Sequence, residues 1–183
     1  YLGTIARKIL RKATCSVLML INPSARPREM KNIVVNADGS PHVKQALRIA
    51  CTLAQRESVA WLHIVKELKL YSLSMSASNE YSEDEYSAMR QKLVQDEIDN
   101  VYKLLSDIPH ENLKINVKVV AGKSGFELGK FAARKQADLL IVGAPQKRYF
   151  LFDRIFTHDL EYIFADLPCN LLLVKPGKEG MRG

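Results

Sequence analysis

The chain has 183 residues, 47% of them hydrophobic and 26% charged, a composition with enough apolar material for a sizeable globular core. No apolar run approaches the roughly 18 residues of a membrane-spanning helix, and Tyr1-Leu2-Gly3-Thr4 has neither an initiator Met nor the basic-then-apolar order of a signal peptide. Those first residues read as the start of an excised fragment. Cys15, Cys51 and Cys169 stand far apart, with no CxxC pair and no His at ligand spacing; this argues against a disulfide framework or a zinc site and for a reducing compartment. The net charge of +7 is concentrated at the N-terminus, where residues 1–31 hold seven basic side chains against Glu29 alone. Arg7-Lys8 and Arg11-Lys12 recur at the spacing of the wet face of an amphipathic helix, and without interleaved aromatics they make no nucleic-acid footprint.

Short apolar runs then alternate with helical stretches, the pattern of βαβ units around a parallel sheet. Ile33-Val34-Val35 predicts the first strand. Asp38-Gly39-Ser40-Pro41 supplies a turn, with Ser40 as N-cap and Pro41 at the first helical position. Val43, Ala46, Leu47, Ala50, Cys51 and Ala54 recur at three- and four-residue spacing, so a helix buries that face. Val59 to Val65 is the second strand, and residues 66–82 are Ser- and Tyr-rich without clear period. Glu83-Asp84-Glu85 places acids at the positive end of a long helix running through Met89, Leu93, Val101 and Leu105. Ile115, Val117 and Val119 alternate as a strand, residues 122–125 turn, and Phe126 to Lys135 is a short helix. The almost wholly apolar Asp138–Gly143 suits a strand covered on both faces. A helix over Thr157 to Ala165 and a strand over Leu171 to Val174 complete five strands.

An internal repeat stands out. Gly3-Thr4, a basic helix, Cys15-Ser16 and Val17-Leu18-Met19-Leu20 parallel Phe156-Thr157, a helix, Cys169-Asn170 and Leu171-Leu172-Leu173-Val174, with one residue inserted in the second copy. Residues 1–22 therefore read as the terminal helix and strand of a preceding domain. Residues 23–30 are a Pro-rich linker, residues 31–176 a complete domain, and 177–183 a flexible tail.

Four segments resemble the universal stress protein family: Val34-Val35-Asn36-Ala37-Asp38-Gly39-Ser40, Leu62-His63-Ile64-Val65, Ala137 to Gly143, and Pro168 to Val174. Gly3 to Arg11 resembles the terminal helix of the same family, whose domains commonly occur in tandem. The resemblance implies a five-stranded parallel sheet in the order 3-2-1-4-5 with helices on both faces, an architecture like that of the adenine nucleotide alpha hydrolases. To this the N-terminal helix and strand would be added. It also implies a nucleotide cleft at the carboxyl ends of the strands.

In family members that bind ATP, the phosphates rest on Gly-x-x-Gly, nine residues, then Gly-Ser/Thr. Glycines allow close backbone approach and the following helix N-terminus favours the anion. That frame falls here on Gly143, Gln146, Phe156 and Thr157, so only the first glycine and the hydroxyl remain. Asp38, Ser40 and Val65 match the base and ribose side, although Asp-Gly-Ser is equally a plain structural turn. Lys147 and Arg148 are candidate side-chain replacements for the lost phosphate amides.

Other motifs carry less. Gly122-Lys123-Ser124 imitates the end of a Walker loop, but Val117 stands where that loop needs Gly. His42, His63, His110 and His158 are scattered, with no nucleophile turn beside them. Tyr149, Phe150, Phe152, Phe156, Tyr162 and Phe164 form an aromatic group that reads either as a docking surface or as core filling a vacated cleft. The sequence thus predicts a non-catalytic regulatory domain without a cofactor, acting as a homodimer or beside a tandem sister domain through Val17–Ile21 and Leu171–Val174. Cytoplasmic placement, attachment to an upstream membrane transporter and the absence of a nucleic-acid partner belong to the same expectation. The alternative is an ATP or AMP sensor with a phosphate site rebuilt by Lys147, Arg148 and Thr157.

Overall fold

The computed structural model describes residues 3–21, 23–26, 28–38, 42–69, 82–122, 125–144 and 163–175. Its elements in chain order are α1 (Thr4–Lys12), β1 (Val17–Met19), β2 (Asn32–Asn36), α2 (Val43–Arg56), β3 (Trp61–Lys69), α3 (Glu83–Leu105), β4 (Ile115–Gly122), α4 (Phe126–Arg134), β5 (Leu139–Gly143) and β6 (Asn170–Val174); residues 163–165 are also helical.

The strands form one six-stranded sheet in the order β1-β6-β5-β2-β3-β4, which corrects the expected count of five. Strands β2 to β6 pair in parallel, whereas β1 joins β6 antiparallel through Val17↔Leu173, Leu18↔Leu172 and Met19↔Leu171. The added strand has a physical reason. Without it, β6 would present unpaired backbone groups and apolar side chains along an open edge.

Two apolar layers sandwich the sheet. On one side α2 lays its stripe of Val43, Ala46, Leu47, Ala50, Cys51 and Ala54 against Ile33, Val35, Ile64 and Ile141. On the other, Leu128, Phe131 and Ala132 of α4 pack with Leu10 of α1, Phe164, Val34, Leu140, Leu171 and Leu173. β5 is buried at all five positions, as a central parallel strand should be.

Three boundaries differ from the sequence reading. Helix α2 starts at Val43, where its buried stripe begins, with His42 at the N-cap making no side-chain capping bond; the expected cap Ser40 and Pro41 lie outside the described residues. β3 and β4 both run further than expected, because their pairing continues from Leu62↔Ile115 to Lys69↔Gly122 through charged residues that hide the strand pattern. The opening of α3 is more elaborate than acids at a dipole: Ser82 Oγ accepts from the Glu85 backbone N–H while the Glu85 carboxylate accepts from the Ser82 N–H, a reciprocal capping box.

The N-terminal unit is fastened to the domain at several points. Lys175 Nζ donates to the carbonyls of Arg11 and Ala13, satisfying acceptors that the last turn of α1 leaves open. Ser16 Oγ accepts from the Lys175 backbone N–H at 3.0 Å, and the Ile21 N–H donates to Asn170 Oδ1 at 3.2 Å. Leu10 is wholly buried. Truncation to Leu10→Ala should therefore lower the unfolding free energy by about 2 to 5 kcal/mol, measurable by urea denaturation. A loss within about 0.5 kcal/mol, the size typical of surface changes, would show that α1 is only loosely attached.

His63 is 4% exposed, stacked on Trp61 and meeting Phe131 edge-on, with Asn116 Nδ2 3.1 Å from its Nδ1. Burial, reinforced by the Lys135 charge, holds its pKa below the ordinary value. As pH falls below about 6.5, the unfolded chain takes up this proton before the folded one does. The contribution of His63 to stability is thus complete at neutral pH and declines below that value. Urea midpoints at pH 7.5 and 5.5, compared between wild type and His63→Leu, should show a smaller loss in the variant.

Candidate functional site

The sheet reverses its winding at β2. The crossover through α2 packs on one face and that through α4 on the other, so the strands flanking β2, namely β3 and β5, diverge to opposite sides. A crevice outside the carboxyl ends of the strands at such a switch point is where open α/β sheets take ligands.

Three predicted site residues lie at or just beyond the carboxyl ends of these strands. Asp38 follows the end of β2 and is half-buried. Val65 lies in β3 opposite Asn36, is fully buried, and its carbonyl accepts from the Ala37 N–H at 2.8 Å. Gly143 ends β5 opposite Val174, and the next N–H, of Ala144, donates to the Val174 carbonyl at 2.7 Å. The carbonyls of Val65 and Val174 therefore hold the backbone of the crevice floor. Ser40, Lys147, Arg148 and Thr157 lie outside the described residues, as do Gln146, Phe156 and His158. Of the aromatic group only Phe164 is described, and it is wholly buried in the core.

One polar group at the site escaped the sequence reading. Asn36, the last residue of β2, is 5% exposed, and its Oδ1 is buried without a hydrogen-bond partner among the described residues. An orphaned buried acceptor costs about 1 to 3 kcal/mol unless something donates to it. The signal was present in the sequence as a single amide closing an otherwise apolar strand, Ile33-Val34-Val35-Asn36. Of the expected phosphate frame only Gly143 is among the described residues.

Classical catalytic features are missing among the described residues. No group of three or more His, Cys, Asp or Glu side chains could hold a metal, and no helix is long and apolar enough to cross a membrane. All three cysteines are free. Burial pushes the Cys51 thiol up to about 11; burial, with the Asp138 charge, pushes Cys169 up to about 12, so neither is a ready nucleophile.

Comparison with known proteins decides the family. The model of the universal stress protein family matches residues 29–175. The chain belongs to the universal stress protein family. Among solved structures, a universal stress protein from Archaeoglobus fulgidus DSM 4304 superposes with a TM-score of 0.62 at 13% identity, over 93% of this chain and 53% of the other. A functionally unknown protein from Pseudomonas aeruginosa PAO1 gives 0.61 at 20% identity, over 95% and 57%. A universal stress protein in complex with cAMP gives 0.52 at 18% identity, over 81% and 98%. This universal stress protein chain thus spans little more than half the length of the first two. No sequence match is found among curated proteins.

Replacing the orphaned amide provides a test of the crevice. Asn36→Leu removes the unpaired acceptor while keeping the branched side-chain skeleton and is expected to raise the unfolding free energy by about 1 to 2 kcal/mol in the absence of added ligand. A loss of stability in thermal or urea melts would show that Oδ1 already has a donor.

Proposed function

We propose that this universal stress protein chain is a non-catalytic regulatory domain that acts by association through its terminal helix and strand. The observation that carries the reading is the symmetry of the β1–β6 pair. Counting from Cys15 and Cys169, Leu18 and Leu172 occupy equivalent places in the repeat, and these two residues pair with each other. Leu10 and Phe164 are equivalent as well, and both are wholly buried in the same layer. Two copies of one helix–strand unit thus meet about a local two-fold, the arrangement of a self-complementary interface.

The exposed side of the first copy supports the same reading. Ile9 and Leu20 are 51% and 54% exposed, while their equivalents Ile163 and Val174 are 1% and 0% exposed. Side chains that are core in the complete copy are bare in the partial one. A sister domain of the same fold, in tandem or in a second chain, would cover them. The two longer structures, matched over 93% and 95% of this chain, fit a tandem parent. Within that proposal the domain is cytoplasmic, in keeping with three free cysteines, and it serves as the regulatory part of a larger protein such as a membrane transporter.

Nucleotide binding is weak or absent in this reading, because Gln146 and Phe156 replace the glycines of the phosphate frame, and no nucleophile–base pair supports catalysis. The second reading, an ATP or AMP sensor, is favoured by one observation: the donor-seeking Asn36 Oδ1 at the crevice, alongside a relative crystallised with cAMP. There Lys147, Arg148 and Thr157 rebuild the phosphate site, and Lys147→Ala would abolish binding.

Two measurements separate the readings. Sedimentation should show reversible self-association that Leu20→Lys weakens, and calorimetric titration with ATP should give a dissociation constant weaker than about 1 mM. A strictly monomeric wild type would overturn the association reading. Tight one-to-one ATP binding would replace the claim of a lost nucleotide function with the sensor.

A further inference from the structure

The two edges of the sheet are finished differently. β1, at one edge, is three residues long; β4, at the other, runs for eight, and no described strand pairs with its outer side. The hydrogen bonding fixes which backbone groups of β4 face outwards. The Leu62 N–H donates to the Lys114 carbonyl at 2.9 Å, and Leu62 is the register partner of Ile115. In this parallel pair the peptide groups of Lys114, Asn116, Lys118 and Val120 therefore turn towards β3, and those of Ile115, Val117 and Val119 turn away from it. Folded proteins usually blunt so long an edge, because it accepts a further strand.

The two faces of the same strand differ in chemistry. Ile115 and Val117 are half-buried against the layer that holds α2 and α3. On the α4 side stand Lys114, Asn116 and Lys118. Asn116 Nδ2 lies 3.1 Å from His63 Nδ1, whereas both lysines are exposed and form no ion pair among the described residues. Arg134 and Lys135, 6.0 and 5.9 Å from the Phe131 ring above His63, add to the positive charge there. The carboxylates around β4 are placed elsewhere or engaged. Glu67, opposite Val120, accepts from the Gly125 N–H at 2.7 Å, and Glu127 lies over Gly122 at the far end of the strand. Glu97 of α3 pairs with Lys66 at 3.5 Å. Glu111 belongs to the turn before β4, whose backbone is tied to α2 through Gln55, and Asp138, three strands across, accepts from the Lys31 and Asn32 N–H groups.

We propose that β4 accepts an extended acidic segment of another protein as an added strand. The outward peptide groups of Ile115, Val117 and Val119 supply the backbone ladder, and alternate side chains supply the selection. Acids of the segment stand opposite Lys114 and Lys118, a polar residue opposite Asn116, and apolar residues opposite Ile115 and Val117. A second copy of this chain does not fit. The two-fold that would join two β4 edges into one sheet keeps each face on its own side, so it sets lysine against lysine, which is destabilising. The self-association proposed above uses the β1 edge, so the two can fail separately.

The probe is a synthetic peptide with Glu-Val-Thr-Val-Glu at its centre and Gly-Ser ends, titrated into the full chain. Trp61, the only tryptophan, is 43% exposed and neighbours Lys114 in the register, so its emission reports binding at this edge. Saturable one-to-one binding is expected, with the same affinity in Leu20→Lys. A peptide of the same residues ordered Glu-Glu-Thr-Val-Val should bind about five-fold more weakly or worse, having lost the matched cross-strand charges. Lys114→Glu/Lys118→Glu should reject the first peptide and accept Lys-Val-Thr-Val-Lys in its place, a gain that a misfolded variant would not show. Amide exchange at Ile115, Val117 and Val119 should be fast in the free chain and slowed by the peptide. Protection of those amides in the free chain would overturn the proposal, because the edge would already be covered. Equal affinity for the reordered peptide, no saturable binding, or tighter binding of oligothymidylate than of the peptide would overturn it as well.

Discussion

Backbone pairing between β1 and β6 is the constraint on which the rest of the molecule depends. β6 lies at the end of the parallel series, with β5 on one edge and Leu171 and Leu173 buried beneath it. Left open, its other edge would combine unpaired backbone groups with an apolar face, the combination most prone to unwanted association. β1 closes that edge and brings Leu10 of α1 into the core beneath the sheet. The capping of α1 by Lys175 and the hydrogen bond from Ile21 to Asn170 both follow from that placement.

Closing one edge creates another. β1 is only three residues long, and Leu18 and Leu20 on or beside it are each 54% exposed. The chain has exchanged a long apolar edge for a short one whose uncovered side chains correspond to buried ones in the second copy of the repeat. The proposed association would thus use the same interaction that stabilises the fold, while at the end of β2 the Asn36 Oδ1 is buried without a partner among the described residues.

Much of this was legible in the sequence, for physical reasons that also mark where legibility ended. Parallel strands buried on both faces must be apolar throughout, so Leu139 to Gly143 could be read directly. The repeat singled out α1 and β1, and the structure adds the register of β1 on β6. By contrast, the far halves of β3 and β4 lie at the edge of the sheet, where Lys66, Glu67 and Lys118 are accommodated, so periodicity gave no warning of their length. Asp38, Val65 and Gly143 share one end of the sheet because the topology aligns three strand ends. Asn36 was passed over because a single amide in a strand carries no motif; only its burial without a partner reveals it.

The most direct measurement of the central claim is amide hydrogen exchange along the β1–β6 pair. If β1 is an integral strand, the amides of Val17 to Met19 that bond β6, and those of Leu171 to Leu173 that bond β1, should exchange with similar opening free energies, close to those of the β5–β6 ladder. Exchange of the β1 amides at the rate of an unfolded peptide, with the β5–β6 ladder still protected, would contradict it.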